Sequence, residues 1–95
     1  MIIRIVKLTI DPAKKEAFIS IFKNNNHHIK ACEGCIGVEL LQDQKYSNIF
    51  FTYSHWKEET DLDNYRQSEI FGVIWKATKA TFCGPPEAWT TRSIA

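Results

Sequence analysis

Apolar positions along this chain follow two periods that alternate in a regular order. Met1 to Ile10, MIIRIVKLTI, is β-branched and apolar, which suits a strand. Ile3, Ile5, Lys7 and Thr9 share one of its faces, and Ile2, Arg4, Val6, Leu8 and Ile10 share the other. Both faces are largely apolar, so both are expected to be covered. Asp11-Pro12 then supplies an N-cap with proline at the first helical position. Ala17, Phe18, Ile21, Phe22 and Ile29 form the inner stripe of a helix, with His28 a candidate member, opposite Lys14, Lys15, Glu16 and Lys23. Asn24, Asn25 and Asn26 are poor helix formers and mark a place for a local irregularity. Gly34 is the stop signal.

Cys35 to Gln42 and Ile49 to Trp56 read as two strands of an antiparallel hairpin, joined by the polar turn DQKYSN, Asp43 to Asn48. The period then returns to that of a helix. Thr60 or Asp61 begins a short one carrying Leu62 and Tyr65. Ser68 caps the next, with Glu69 in its first turn, and Phe71, Ile74, Trp75, Thr78 and Phe82 follow at helical spacing. Cys83-Gly84-Pro85-Pro86 breaks that helix, and Glu87 to Ile94 fits a final edge strand. The order is β-α-β-β-α-β with a divided second helix. This is an α+β, ferredoxin-like arrangement, an antiparallel sheet with helices on one face. The second sheet face is expected to pack on a second sheet, which accounts for the apolar first strand. Trp56, Tyr65, Phe71 and Trp75 come within reach of one sheet face, so a ligand is expected between helices and strands.

Ninety-five residues make one domain, 1–95, with a limited core that oligomerisation would supplement. An apolar share of 44% and a charged share of 24% place it among ordinary globular proteins. The net charge of +1 comes from interspersed charges with no basic block, which argues against nucleic acid as a partner. No apolar run is long enough to span a membrane and the N-terminus lacks a secretory pattern, so a cytoplasmic location is expected.

The three cysteines are Cys32, Cys35 and Cys83. Cys32 and Cys35 form a C-x-x-C, written CEGC, which could be a redox dithiol or half a zinc site. A redox motif opens a helix, whereas this one ends a helix and enters a strand, so a structural role is favoured and no metal is expected. His27 and His28 point about 100° apart on a helix and cannot readily share one metal. His28 is the better candidate for a base at a cavity.

The runs GCIGVELLQD, FFTYSHWKEETDLDNYRQSEIF and FCGPPEAW are similar to the antibiotic biosynthesis monooxygenase family, over nearly the whole chain and at the right spacing. The resemblance implies a dimeric α+β barrel with one cavity per subunit. It also implies, in the quinol-oxygenase and polyketide-tailoring branches, oxidation of electron-rich phenols by O₂ without cofactor. The haem-degrading branch uses an Asn, a Trp and an iron-ligating His where this chain has Val6, Tyr65 and Trp75. Trp75 cannot ligate iron, which argues against haem degradation. Many relatives also carry His at Tyr65 and near Ile70.

The expected catalytic groups are His28 as base, Tyr65 as a hydrogen-bond partner of a substrate oxygen, and Arg4 as stabiliser of a phenolate or superoxide, unless Arg4 is ion-paired. Val6, Phe22, Phe71 and Trp75 are the expected substrate walls. Trp56 is expected to be packing and His55 to face the dimer interface. The function expected is a cofactor-independent monooxygenase acting on a quinol-like or polycyclic aromatic molecule, as a homodimer. The alternative is a non-catalytic dimeric binding or stress-related domain of the same fold.

Overall fold

The computed structural model describes residues 1–95. Strand β1 is Ile2–Thr9, helix α1 is Lys15–Lys30, β2 is Cys35–Gln42 and β3 is Ile49–Trp56. Helices α2, Glu59–Arg66, and α3, Glu69–Lys79, follow, and β4, Glu87–Arg92, ends the sheet. The strands lie in the order β2-β3-β1-β4 with every neighbouring pair antiparallel, the ferredoxin-like topology expected.

The local chemistry that sets these elements is largely as anticipated. Asp11 accepts a hydrogen bond from the Ala13 amide at 3.0 Å, opening a 3-10 turn at Pro12–Lys14 that leads into α1. Ser68 Oγ caps α3 by accepting from the Phe71 amide at 3.2 Å. Gly34 has a φ of +80°, and a side chain there would run into Asp61, so only glycine fits the turn between α1 and β2.

Some details differ. Asn24 to Asn26 cause no irregularity: α1 runs through them, and Asn25 Nδ2 donates to the Ile21 carbonyl at 2.7 Å along the helix. Ala17 and His28 are exposed rather than part of the inner stripe. The stripe centres on Phe18, Asn25 and Ile29, and His28 stands roughly 80° from that line at 100° per residue. Phe82 lies beyond α3, where it bridges to Ile10 instead of extending the helix. The final strand ends at Arg92.

Register fixes which side chains meet on the helix-covered face. One row across the sheet is Val38, Ser54, Arg4 and Thr90; the next is Leu40, Thr52, Val6 and Ala88. The core lies between this face and the helices, in two clusters. Leu8, Ile10, Phe18 and Phe50 form one, and Ile29, Trp56 and Leu62 the other. The opposite face carries rows such as Glu39, Tyr53, Ile5 and Trp89, and none of the ten buried residues lies on it. His55 belongs to this outer face, its ring edge-on to Tyr53 at 4.9 Å.

Candidate active site

Between the two core clusters the helices stand off the sheet and leave a cavity of about 280 Å³. Its floor is Arg4, Val6 and Leu8 from β1, Thr52 and Ser54 from β3, and Val38 from β2. Its walls come from α1, through Ile21, Phe22, Asn25 and Ile29, and from α2 and α3, through Tyr65, Arg66, Phe71, Ile74 and Trp75. Twelve of eighteen lining residues are hydrophobic, so the few polar groups decide what the cavity can hold.

The aromatic wall is continuous. Tyr65 stacks on the fully buried Trp56, with centroids 5.1 Å apart and planes at 24°. Phe71 meets Tyr65 edge-on at 5.2 Å and stacks on Trp75 at 5.9 Å, and Trp75 meets Phe82 edge-on at 5.6 Å. Such pairs add about 0.5–1.5 kcal/mol each beyond their burial and hold the ring planes in fixed orientations.

Arg4 is the one charged residue on the floor. Its Nη1 donates to Thr90 Oγ1 at 2.8 Å, so the edge strand orients the guanidinium. Its Nε is enclosed and has no acceptor among the protein's groups, an arrangement that costs about 1–3 kcal/mol. Burial and the neighbouring Arg66 guanidinium both lower the Arg4 pKa from its ordinary value. No carboxylate and no imidazole line the cavity, so the ion pair considered for Arg4 is not formed within it.

The remaining polar groups are mostly donors. Ser54 Oγ accepts from Trp56 Nε1 at 3.0 Å, which leaves the hydroxyl proton free to donate. Thr52 adds a second hydroxyl. Burial, and behind it the Cys32 and Cys35 sulfurs, push the Tyr65 phenol well above its ordinary range, so at neutral pH it is a donor and not a base. Asn25 spends its NH₂ on Ile21, leaving Oδ1 as an acceptor.

The chain matches a known family in sequence and known structures in fold. The family described as "Antibiotic biosynthesis monooxygenase" matches residues 1–77. This chain belongs to that family. Among solved structures, a conserved protein of Methanosarcina mazei Go1 superposes with a TM-score of 0.92 at 25% identity, covering 99% of this chain and 94% of its own. A Nitrosomonas europaea protein, provisionally named an antibiotic biosynthesis monooxygenase, gives 0.91 at 17% identity over the full length of both chains. One from Caulobacter crescentus, named in the same way, gives 0.92 at 18%, covering 99% of this chain and 90% of its own. A comparison with curated proteins found no match.

Set against this antibiotic biosynthesis monooxygenase frame, the expected site residues fall into two groups. Arg4, Val6, Phe22, Tyr65, Phe71 and Trp75 all line the one cavity. His28 does not; it is exposed and its ring lies tilted at 39° against that of His27, centroids 3.9 Å apart. The base anticipated there is outside the cavity because α1 turns Asn25 and Ile29, not His28, toward the sheet. Arg66, Asn25, Ser54 and Thr52 were not anticipated. Asn25 could have been found from its four-residue spacing to Ile21 and Ile29, and the two hydroxyls from their alternation with Tyr53 along β3. Arg66 carried no such signal, since it is exposed and lies at the end of a two-turn helix.

Cys32 and Cys35 lie outside the cavity lining, beside the second core cluster. They stand on either side of the turn that Gly34 makes, and the Cys35 amide donates to the Cys32 carbonyl at 3.1 Å. Both are free thiols, and burial raises the pKa of each. They therefore lack the thiolate character of a redox dithiol and serve as packing around Ile29, Trp56 and Leu62.

Proposed function

We propose that this protein is a cofactor-independent monooxygenase that oxidises a small quinol-like aromatic molecule with O₂ inside the cavity. The observation that carries the reading is the coincidence of an aromatic-walled cavity with a guanidinium on its floor in a chain of this family. An electron-rich phenol, once its proton has passed to solvent water, needs no redox group from the protein. Its anion gives one electron to O₂; the resulting radical and superoxide join through a new C–O bond. Breaking the O–O bond then leaves one oxygen on the substrate carbon as a carbonyl and releases the other as water, whose two hydrogens come from the ring C–H and, through solvent, the phenol O–H, so that quinol plus O₂ becomes hydroxyquinone plus H₂O.

In this scheme Arg4 stabilises the phenolate and the superoxide, and Tyr65 donates to a substrate oxygen. Val6, Phe22, Phe71 and Trp75 hold the ring and exclude water. At about 280 Å³ the cavity sits just below the usual 300–1,000 Å³ of small-molecule sites, which favours one or two rings over a larger polycycle. The working unit is a homodimer joined through the outer sheet face, where Ile3, Ile5, Phe51, Tyr53 and Trp89 lie without cover from the subunit's own helices. We place it in the cytoplasm, where three unpaired thiols persist.

A second reading has its own observation. With no imidazole or carboxylate on the lining, the domain has no general base in the cavity, which suits a binding role without turnover.

Oxygen uptake with a panel of quinols and an anthrone, after metal chelation and against autoxidation controls, separates the two. Uptake above control, lowered about hundredfold in Arg4→Gln and about tenfold in Tyr65→Phe, is expected. His28→Ala should turn over as the unaltered protein does. Absence of uptake from a folded dimer with every substrate would leave the binding reading.

A further inference from the structure

Two cations and no anion meet at one cavity. Arg4 rises from the floor, held by Thr90, and Arg66 approaches from the last turn of α2. The two guanidiniums are close enough to act on each other electrostatically, yet no carboxylate shares the lining. The enclosed Nε of Arg4 lacks an acceptor. Ser54 stands directly across the strand pair from Arg4, with its proton free because its oxygen already accepts from Trp56. The acceptors that do line the cavity, Asn25 Oδ1 and the hydroxyl oxygens of Thr52, Ser54 and Tyr65, are all neutral.

Two guanidiniums, which can only donate, are unfavourable side by side when no anion accepts from them. An acid group supplies what is missing, because carboxylate and phosphate oxygens accept several hydrogen bonds and match the guanidinium fork. The lack of a base sharpens the choice. A phenol arriving neutral would find no side chain in the cavity to take its proton, whereas an acid ionised in water arrives already charged. We infer that the cavity's ligand is an aromatic molecule bearing a permanent acid anion, bound by Arg4, Arg66 and Ser54, with its ring against Phe71 and Trp75. This rests on the cavity being the ligand site, as the proposed function requires, but not on any reaction with oxygen.

Calorimetric titration of the intact protein at neutral pH and low salt with 2-naphthoate and 2-naphthamide tests it. The two probes share a shape and differ in charge. The carboxylate is expected to bind at least about tenfold more tightly, the worth of one charge-assisted hydrogen bond. The gap should close in Arg4→Gln, narrow in Arg66→Gln, and recover partly in Arg4→Lys, which restores charge without the fork. 2-Naphthyl phosphate binding more tightly than the carboxylate would assign the acid as a phosphate, and weaker binding would assign it as a carboxylate. Equal affinity for naphthoate and naphthamide, binding of neither, or a gap that survives Arg4→Gln would overturn the inference. Should Arg4→Gln fail to fold by circular dichroism, the comparison on the unaltered protein still decides. Charge discrimination without oxygen uptake would sink the monooxygenase reading alone. Uptake on neutral quinols without discrimination would sink this inference alone.

Discussion

Phe50 and Phe51 are neighbours on one strand, chemically identical, and they lie in different worlds. Phe50 is 1% exposed and tilts against Phe18 at 4.8 Å within a closed core. Phe51 faces the other way, half-buried, paired across the strands with Lys7 and Leu41. The same division runs along β1, where Leu8 and Ile10 are closed off while Ile3 and Ile5 are not. The two faces of this sheet are similarly apolar in sequence, but the subunit's own helices cover only one. The subunit itself supplies one cover to this doubly apolar strand, and the proposed homodimer would supply the second.

Substitution at the paired phenylalanines tests that division most strongly. Phe50→Ala should cost about 3–5 kcal/mol, a large part of the stability of a domain this size, as a lowered urea midpoint. Ile5→Asp, in the middle of the outer face, should leave the subunit's own core intact. Analytical ultracentrifugation should then show a dimer weakened by about hundredfold or more, because a charge would be buried against an apolar sheet. Phe51→Ala should weaken it by about tenfold, as loss of one half-buried ring at an interface does. If Ile5→Asp and Phe51→Ala both leave the sedimentation unchanged, the outer face is not a subunit interface and the comparison loses its meaning.

What was legible in the chain follows the same division. The element order, the divided second helix, the caps at Asp11 and Ser68 and the left-handed Gly34 are local features, each written in a few adjacent residues. Part of the cavity floor was legible too: alternation along β1 puts Arg4 beside Val6 and the family resemblance turns that face toward the cavity, whereas Thr52 and Ser54 on β3 were missed. The errors come where geometry depends on how a helix is rotated or where it stops. His28 lies beside the inner stripe, which makes it a candidate member, yet one residue's rotation separates it from Ile29 and places it in solvent. Phe82 keeps helical spacing but is drawn off by its bridge to Ile10. Arg66 reaches the cavity only because α2 packs as it does against β3 and α3, and no local pattern carries that information.

Tyr65 gives the smallest effect and the most direct measure of how closed the covered side is. In an unfolded chain a tyrosine ionises near pH 10 and a cysteine near 8.5. In the fold, burial first and the Cys32 and Cys35 sulfurs second hold the Tyr65 proton on to higher pH. Below about pH 10 both states keep that proton, and its stabilising effect is fully present. Above it the unfolded chain releases the proton while the folded chain retains it. The folded state then binds more protons, so stability must fall as pH rises, by up to about 1.4 kcal/mol per unit for this one group. Cys32 and Cys35, raised chiefly by burial, act in the same direction from about pH 8.5 upward. Urea midpoints followed from neutral to strongly alkaline pH should therefore decline in two stages. Tyr65→Phe should flatten the stage above pH 10 and leave the earlier one, while a Cys32→Ser, Cys35→Ser double variant should do the reverse. If Tyr65→Phe keeps the full alkaline slope, the phenol is open to water, and the wall it forms with Trp56 and Phe71 does not close the cavity as drawn here.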